Sequence, residues 1–163
     1  MQGWSTLRAA QASGELMKEI KGNIWDYLAD DAWVVVPTNG FVKRDGSCVM
    51  GRGVALEACR KFPTLATELG TRIKRDGNQV YVFHGYRIIA FPVKHAWWQK
   101  ADLGLIEKSA DRLFEEVGDE LVYLPRVGCG NGQLQWSDVK PILEEVFHDQ
   151  PNFIVVDKLV EVE

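Results

Sequence analysis

Lys94 stands in the segment Phe91-Pro92-Val93-Lys94-His95-Ala96-Trp97-Trp98-Gln99-Lys100, close to a histidine and two tryptophans. A lysine in a desolvated pocket binds its proton less tightly and can act as a base or nucleophile. Trp97 or Trp98 could cover a nucleobase by stacking. The competing readings are a solvated lysine and a tryptophan pair serving the core or an interface. Two glycine-rich segments point to a different chemistry. The first, Pro37–Gly53, ends in Met50-Gly51-Arg52-Gly53 just before Val54 opens an apolar stripe. The second is Gly128-Cys129-Gly130-Asn131-Gly132, after Pro125-Arg126-Val127. Glycines admit close backbone approach, successive N–H groups form an anion-binding nest, and a helix N-terminus behind them adds its positive dipole end. Two such loops on one edge of a sheet suit a diphosphate. The same glycines could instead serve only as tight turns.

Several classes are disfavoured. Neither loop reads GxxxxGK[ST], and GxGxxG is absent, which argues against a P-loop NTPase and a nicotinamide Rossmann domain. The three cysteines, Cys48, Cys59 and Cys129, are odd in number and contain no CxxC pair. That pattern fits neither a disulfide framework nor a zinc site, and a reducing, cytoplasmic setting is expected. No His, Cys or carboxylate grouping has metal-ligand spacing, so neither a metal nor a cofactor is expected. A net charge of −4 offers no broad basic field for non-specific nucleic-acid binding. No apolar run approaches the roughly 18 residues of a membrane span, and the first residues lack the layout of a secretory signal.

The elements that must position these segments are legible from periodicity. Five apolar runs, Trp33–Val36, Val80–Phe83, Ile88–Phe91, Leu121–Leu124 and Phe153–Val156, do not alternate with polar residues. They read as strands covered on both faces. Glu15–Lys21 alternates loosely and reads as an edge strand. Helical stripes fall at Val54–Phe62, closed by Pro63, and at Leu65–Ile73, Leu103–Val117 and Val139–Phe147. Ser137 or Asp138 is the expected cap of the last, with Pro141 in its first turn. Strands alternating with helices predict a three-layer α/β fold with a mixed, largely parallel sheet of about six strands. Ligands in such sheets bind where loops leave the carboxyl ends of strands. With 163 residues, 46% of them apolar, the chain is expected to form one domain over 1–163, with 1–13 a short helix or loose arm. A monomer is expected.

At this point the residues resemble a known family. Asn39, the run Val49-Met50-Gly51-Arg52-Gly53-Val54-Ala55-Leu56, and Leu124–Trp136 with its Pro125-Arg126-Val127-Gly128-Cys129-Gly130-Asn131-Gly132 are similar to the two ligand loops of macrodomains. The resemblance is to the branch holding terminal ADP-ribose protein glycohydrolases and antitoxins that remove ADP-ribose from DNA. It spans about Ile20 to Val156 and implies ADP-ribose lying across the strand ends. Carried over, Met50, Gly51, Arg52, Gly53 and Val54 form one phosphate loop, and Gly128, Cys129, Gly130, Asn131 and Gly132 the other. Asn39 would meet the distal ribose, and Asn23 and Ile24 the adenine. Lys94 falls where members with an FPxK motif place a catalytic lysine. Two departures stand out. Gly22-Asn23 replaces the usual Gly-Asp, and Gly132 replaces the acidic residue of the protein glycohydrolases, as it does in the DNA-directed members.

The implied activity is hydrolysis of the bond between ADP-ribose and a nucleobase or protein side chain, without a cofactor. The partner would be ADP-ribose or an ADP-ribosylated macromolecule, DNA or protein, and not a membrane. Alternatives are hydrolysis of ADP-ribose 1″-phosphate or O-acetyl-ADP-ribose, and a non-catalytic ADP-ribose reader.

Overall fold

The computed structural model describes residues 17–148 and 150–159. The arm expected at 1–13, and the start of the strand expected from Glu15, lie outside them.

Six strands form one sheet in the order β1-β6-β5-β2-β4-β3. They are β1 (Lys18–Gly22), β2 (Ala32–Asn39), β3 (Tyr81–Phe83), β4 (Ile88–Lys94), β5 (Leu121–Leu124) and β6 (Phe153–Lys158). Every neighbouring pair is parallel except β3 with β4. The sheet is therefore mixed and largely parallel. β1 takes the edge its loose alternation predicts. β3 holds the opposite edge, so Tyr81 and Val82 are only half-buried where the sequence reading had both faces covered.

Helices α1 (Gly53–Lys61) and α2 (Leu65–Asp76) cover one face, and α3 (Leu103–Val117) and α4 (Trp136–Val146) the other. The sides alternate along β2. Val34 and Val36 pack with Leu65, Leu69 and Ile73 of α2, while Trp33 and Val35 pack with Ile106, Leu113 and Leu143 of α3 and α4. Period-two alternation sends successive side chains into two separate cores, which is why the run needs no polar residue.

The helix starts have local causes. Asp102 caps α3, its Oδ1 accepting from the N–H groups of Gly104 and Leu105 at 2.9 and 3.3 Å. α4 differs from expectation. It begins at Trp136 with Gln135 as cap, and the Gln135 carbonyl accepts from the N–H groups of Asp138 and Val139. Ser137 and Asp138 are thus helical, and Pro141 lies in the second turn. Asp138 still complements the dipole in the first turn.

Between β2 and α1 the chain forms a small hairpin, closed by an antiparallel bridge between Val42 and Cys48. Its tip, Lys43-Arg44-Asp45, is exposed, and Asp45 accepts from both the N–H and the hydroxyl of Ser47. α2 packs directly on this hairpin. A Cβ on Gly70 would lie 1.9 Å from the Gly46 carbonyl oxygen, so only glycine permits the approach.

Candidate functional site

All five parallel strands deliver their carboxyl ends to one cavity of about 1260 Å³. The wall includes Gly22 and Asn23 after β1, Asn39 at the end of β2, Lys94 at the end of β4, Pro125 after β5 and Lys158 at the end of β6. Small-ligand sites commonly run to roughly 300–1,000 Å³, so this one has room for a dinucleotide-sized molecule.

The ligand and catalytic candidates from the sequence lie on that wall, namely Asn23, Ile24, Asn39 and Lys94, the loop Met50–Val54 and the loop Gly128–Gly132; of the two tryptophans, Trp97 lines it and Trp98 does not. The two loops face each other. A Cβ on Gly53 would come 3.8 Å from Asn131 Nδ2. Gly53, Gly128 and Gly130 have φ of +58°, +77° and +68°, values that L side chains rarely adopt. Gly51 has no such constraint and open space where a Cβ would stand, so its lack of a side chain leaves the loop surface bare toward the cavity.

Lys94 joins the site's parts. Its Nζ donates to the Asn131 carbonyl at 3.1 Å and to the Trp97 carbonyl at 3.4 Å. Burial and then the nearby Arg52 guanidinium hold its pKa below the ordinary lysine value. Opposite it, across the β2–β4 ladder, is Asn39, after a local register shift. Asn39 secures the hairpin: its Nδ2 donates to the Val49 carbonyl at 2.8 Å and its Oδ1 accepts from the Phe41 N–H at 2.9 Å. One Nδ2 hydrogen and one oxygen lone pair remain for a ligand.

Asn23 is similarly occupied. Its Oδ1 accepts from the Trp25 N–H at 3.1 Å and caps the short 3₁₀ turn Ile24–Tyr27. Gly132 is crowded, since a Cβ there would sit 3.0 Å from that of Ala101, whose N–H donates to the Gly132 carbonyl. His95 is paired with Asp102, Nε2 to Oδ2 at 2.9 Å, and this bond with the two N–H donors holds the Asp102 carboxyl below its usual range.

The cysteines are not activated. Burial pushes the Cys48 thiol up to about 12 and raises those of Cys59 and Cys129. Among the described residues, no group of three or more His, Cys, Asp or Glu could hold a metal ion. None of their helices is long and apolar enough to cross a membrane.

The wall carries Lys43, Arg52, Lys94, Arg126 and Lys158 against Glu57 and Asp157. That excess of cations, beside the N-terminus of α1 at Gly53, suits an anionic ligand. The sequence reading passed over the β6 end, Val156 to Leu159, and Arg126. The rule that parallel sheets bind ligands at carboxyl ends points to the last strand as well as the others.

No family model matches the chain. It is 30% identical over 149 residues to human ADP-ribose glycohydrolase OARD1, covering 83% of this chain and 91% of that protein. Its fold superposes on the macrodomain of Thermus aquaticus DarG with a TM-score of 0.72, at 25% identity over 88% of this chain and 98% of that one. The chain belongs to the macrodomain family. It is also 32% identical over 116 residues to the DNA ADP-ribosyl glycohydrolase of Mycobacterium tuberculosis, matching 64% of this chain. It spans about a third of that longer relative, 33% of its length. Within this macrodomain the two glycine loops and Lys94 occupy one continuous wall, so the residues that carry the family likeness also converge in space.

Proposed function

We propose that this macrodomain, a single domain over 1–163, binds ADP-ribose along the carboxyl edge of its sheet and hydrolyses the bond joining it to a nucleobase or protein side chain. The observation that carries the reading is Lys94. Its amine sits between the two glycine loops, hydrogen-bonded to the Asn131 carbonyl, with a lowered pKa.

In this reading Gly51–Val54 and Gly128–Gly132 hold the diphosphate through backbone N–H groups. Asn39 uses its remaining amide hydrogen and lone pair on the distal ribose. Asn23 and Ile24 meet the adenine, with Asn23 accepting through its second lone pair. Binding energy from the nucleotide then fixes the anomeric carbon against Lys94. A lowered pKa enlarges the fraction of neutral amine, which can attack C1″ as the glycosidic bond breaks and the leaving group takes up a proton; water then hydrolyses the Lys94–C1″ adduct, freeing ADP-ribose and restoring the amine. Alternatively, the ammonium stabilises or protonates the leaving group.

The names of the relatives support this activity class, since those relatives are called ADP-ribosyl and ADP-ribose glycohydrolases. Glycine at 132 supports the nucleobase arm, because it supplies no acidic side chain there, and a Cβ would come within 3.0 Å of that of Ala101.

One observation favours a second reading, a non-catalytic ADP-ribose reader. The Lys94 amine bonds to carbonyls, and the two carboxylates on the wall, Glu57 and Asp157, make no hydrogen bond to it. Calorimetry with ADP-ribose, AMP and NAD tests the binding claim, and tighter binding of AMP or NAD would sink it. Release of free ADP-ribose from ADP-ribosylated single-stranded DNA, with an ADP-ribosylated protein alongside, separates enzyme from reader and one polymer from the other.

A further inference from the structure

Trp97 and Trp98 are 51% and 59% exposed, and with Leu159 they are the exposed large hydrophobics among the described residues. Exposed tryptophan pairs cost solvation and call for a reason. These two form one surface with the hairpin: Trp97 and Trp98 stand edge to face at 5.5 Å, and Phe41 meets Trp98 edge to face at 5.3 Å. The surface opens into the cavity, because Phe41, Lys43 and Trp97 are on its wall and the Trp97 carbonyl accepts from Lys94.

Its charge is opposite in sign to that of the chain as a whole, which is −4. Lys43 and Arg44 project from the hairpin tip, Lys100 follows the tryptophans, and among the described residues none of the three makes a salt bridge. The neighbouring carboxylates are engaged internally, Asp45 with Ser47 and Asp102 with His95 and the start of α3.

We propose that Phe41, Trp97 and Trp98, with Lys43 and Arg44, form a docking platform for single-stranded nucleic acid that leads a base toward Lys94. The inference rests on the ADP-ribose reading for what occupies the cavity, but the platform itself stands outside it. Flat apolar rings, with cations outside any salt bridge on the same hairpin as Phe41, match the two recurring features of a single strand, a π-face on every base and a phosphate beside it. A peptide substrate offers neither in a regular spacing.

The platform predicts affinity for unmodified strand. Fluorescence anisotropy of a labelled oligothymidylate tests it on the native chain, Trp98→Ala, Trp98→Phe and Arg44→Glu, with calorimetry of free ADP-ribose in parallel. Trp98 and Arg44 lie off the cavity wall. Trp98→Ala is therefore expected to weaken oligonucleotide binding about fivefold or more, the range of one lost base stack. Trp98→Phe should recover much of it, and Arg44→Glu should weaken binding and flatten its salt dependence. ADP-ribose affinity should stay unchanged in all three.

No binding by the native chain, or binding indifferent to Trp98→Ala and Arg44→Glu, overturns the platform. So does self-association that Trp98→Ala abolishes, which would assign the surface to a second copy. Failure of the native chain to bind ADP-ribose while it still binds the strand would instead sink the function proposed above and leave the platform standing.

Discussion

The Lys94 ammonium donates to the backbone carbonyl of Asn131, 3.1 Å away, so the end of β4 is tied to the second glycine loop by the side chain best suited to act there. The bond crosses 37 residues of sequence. It holds the amine at the cavity wall while its partial burial and the Arg52 charge weaken its hold on the proton. Positioning and pKa lowering come from the same local arrangement.

If the neutral amine is the reacting form, the rate of ADP-ribose release rises with pH through an apparent pKa below the 10.5 of an ordinary lysine. The sign follows from a lowered pKa, which brings the deprotonated form in at lower pH. Desolvation is the larger cause and Arg52 the second, so Arg52→Gln should move the midpoint upward, toward the ordinary value. A pH–rate profile of kcat on both proteins checks this, and an unchanged midpoint would remove Arg52 from the account.

Two glycines on the same wall should respond differently to alanine. Gly51 has space for a Cβ and an ordinary φ, so Gly51→Ala should leave the urea midpoint unchanged and weaken ADP-ribose binding. Gly128 has φ +77°, and its Cβ would come 2.6 Å from Ile106 Cδ1. Gly128→Ala should therefore cost about 1–3 kcal/mol of stability as well as affinity. Urea denaturation with calorimetry separates the two effects.

Much of the fold was legible in the sequence, for reasons visible at particular residues. Trp33–Val36 is apolar at every position because β2 feeds a core on each face, and the other central strands share that signature. The glycine loops were legible because free backbone N–H groups need little else. What escaped depends on which partner each polar group takes in the folded chain, often one only two or three residues away, and residue type does not reveal that choice. Asn39 has its amide turned to the hairpin by Val49 and Phe41. Asn23 lends its oxygen to a cap. The α4 start escaped because the Gln135 carbonyl, and no side chain, opens the helix. The β6 end reads as plain strand until β1 and β5 flank it and aim it at the cavity.

The hairpin should depend on Gly70. Gly70→Ala would drive a Cβ into the Gly46 carbonyl and Cys48 N–H, which already donates to the Ala66 carbonyl. Backbone cannot yield as a side-chain tip does, and a loss of about 1–3 kcal/mol is expected by thermal or urea unfolding. Cys48, normally inert, should then react faster with a thiol reagent as the hairpin lifts.

Edge strand β1 is fastened through Glu19, which accepts from Trp136 Nε1 at 2.9 Å and lies 2.6 Å from Lys140 Nζ. The hydrogen bond to Glu19 raises the Lys140 pKa. A raised folded-state pKa contributes stability that is fully present below the unfolded lysine value and lost as pH rises through the folded one. Glu19→Gln should thus lower the melting temperature at neutral pH, and its deficit should shrink in strongly alkaline buffer. A pH-independent deficit would assign the effect to the Trp136 bond and the Arg126 pair, 3.4 Å from Glu19, instead of Lys140.

The central claim is that one cavity both binds ADP-ribose and uses Lys94 to release it. The direct measurement pairs calorimetry with ADP-ribose release from modified single-stranded DNA, on the native chain and Lys94→Ala. The account predicts ADP-ribose affinity within a few-fold of native in the variant and release slowed by roughly a hundredfold or more, the scale of losing an acting acid, base or nucleophile. Native chain that binds ADP-ribose but releases none, or a Lys94→Ala variant that releases it at the native rate, would contradict it.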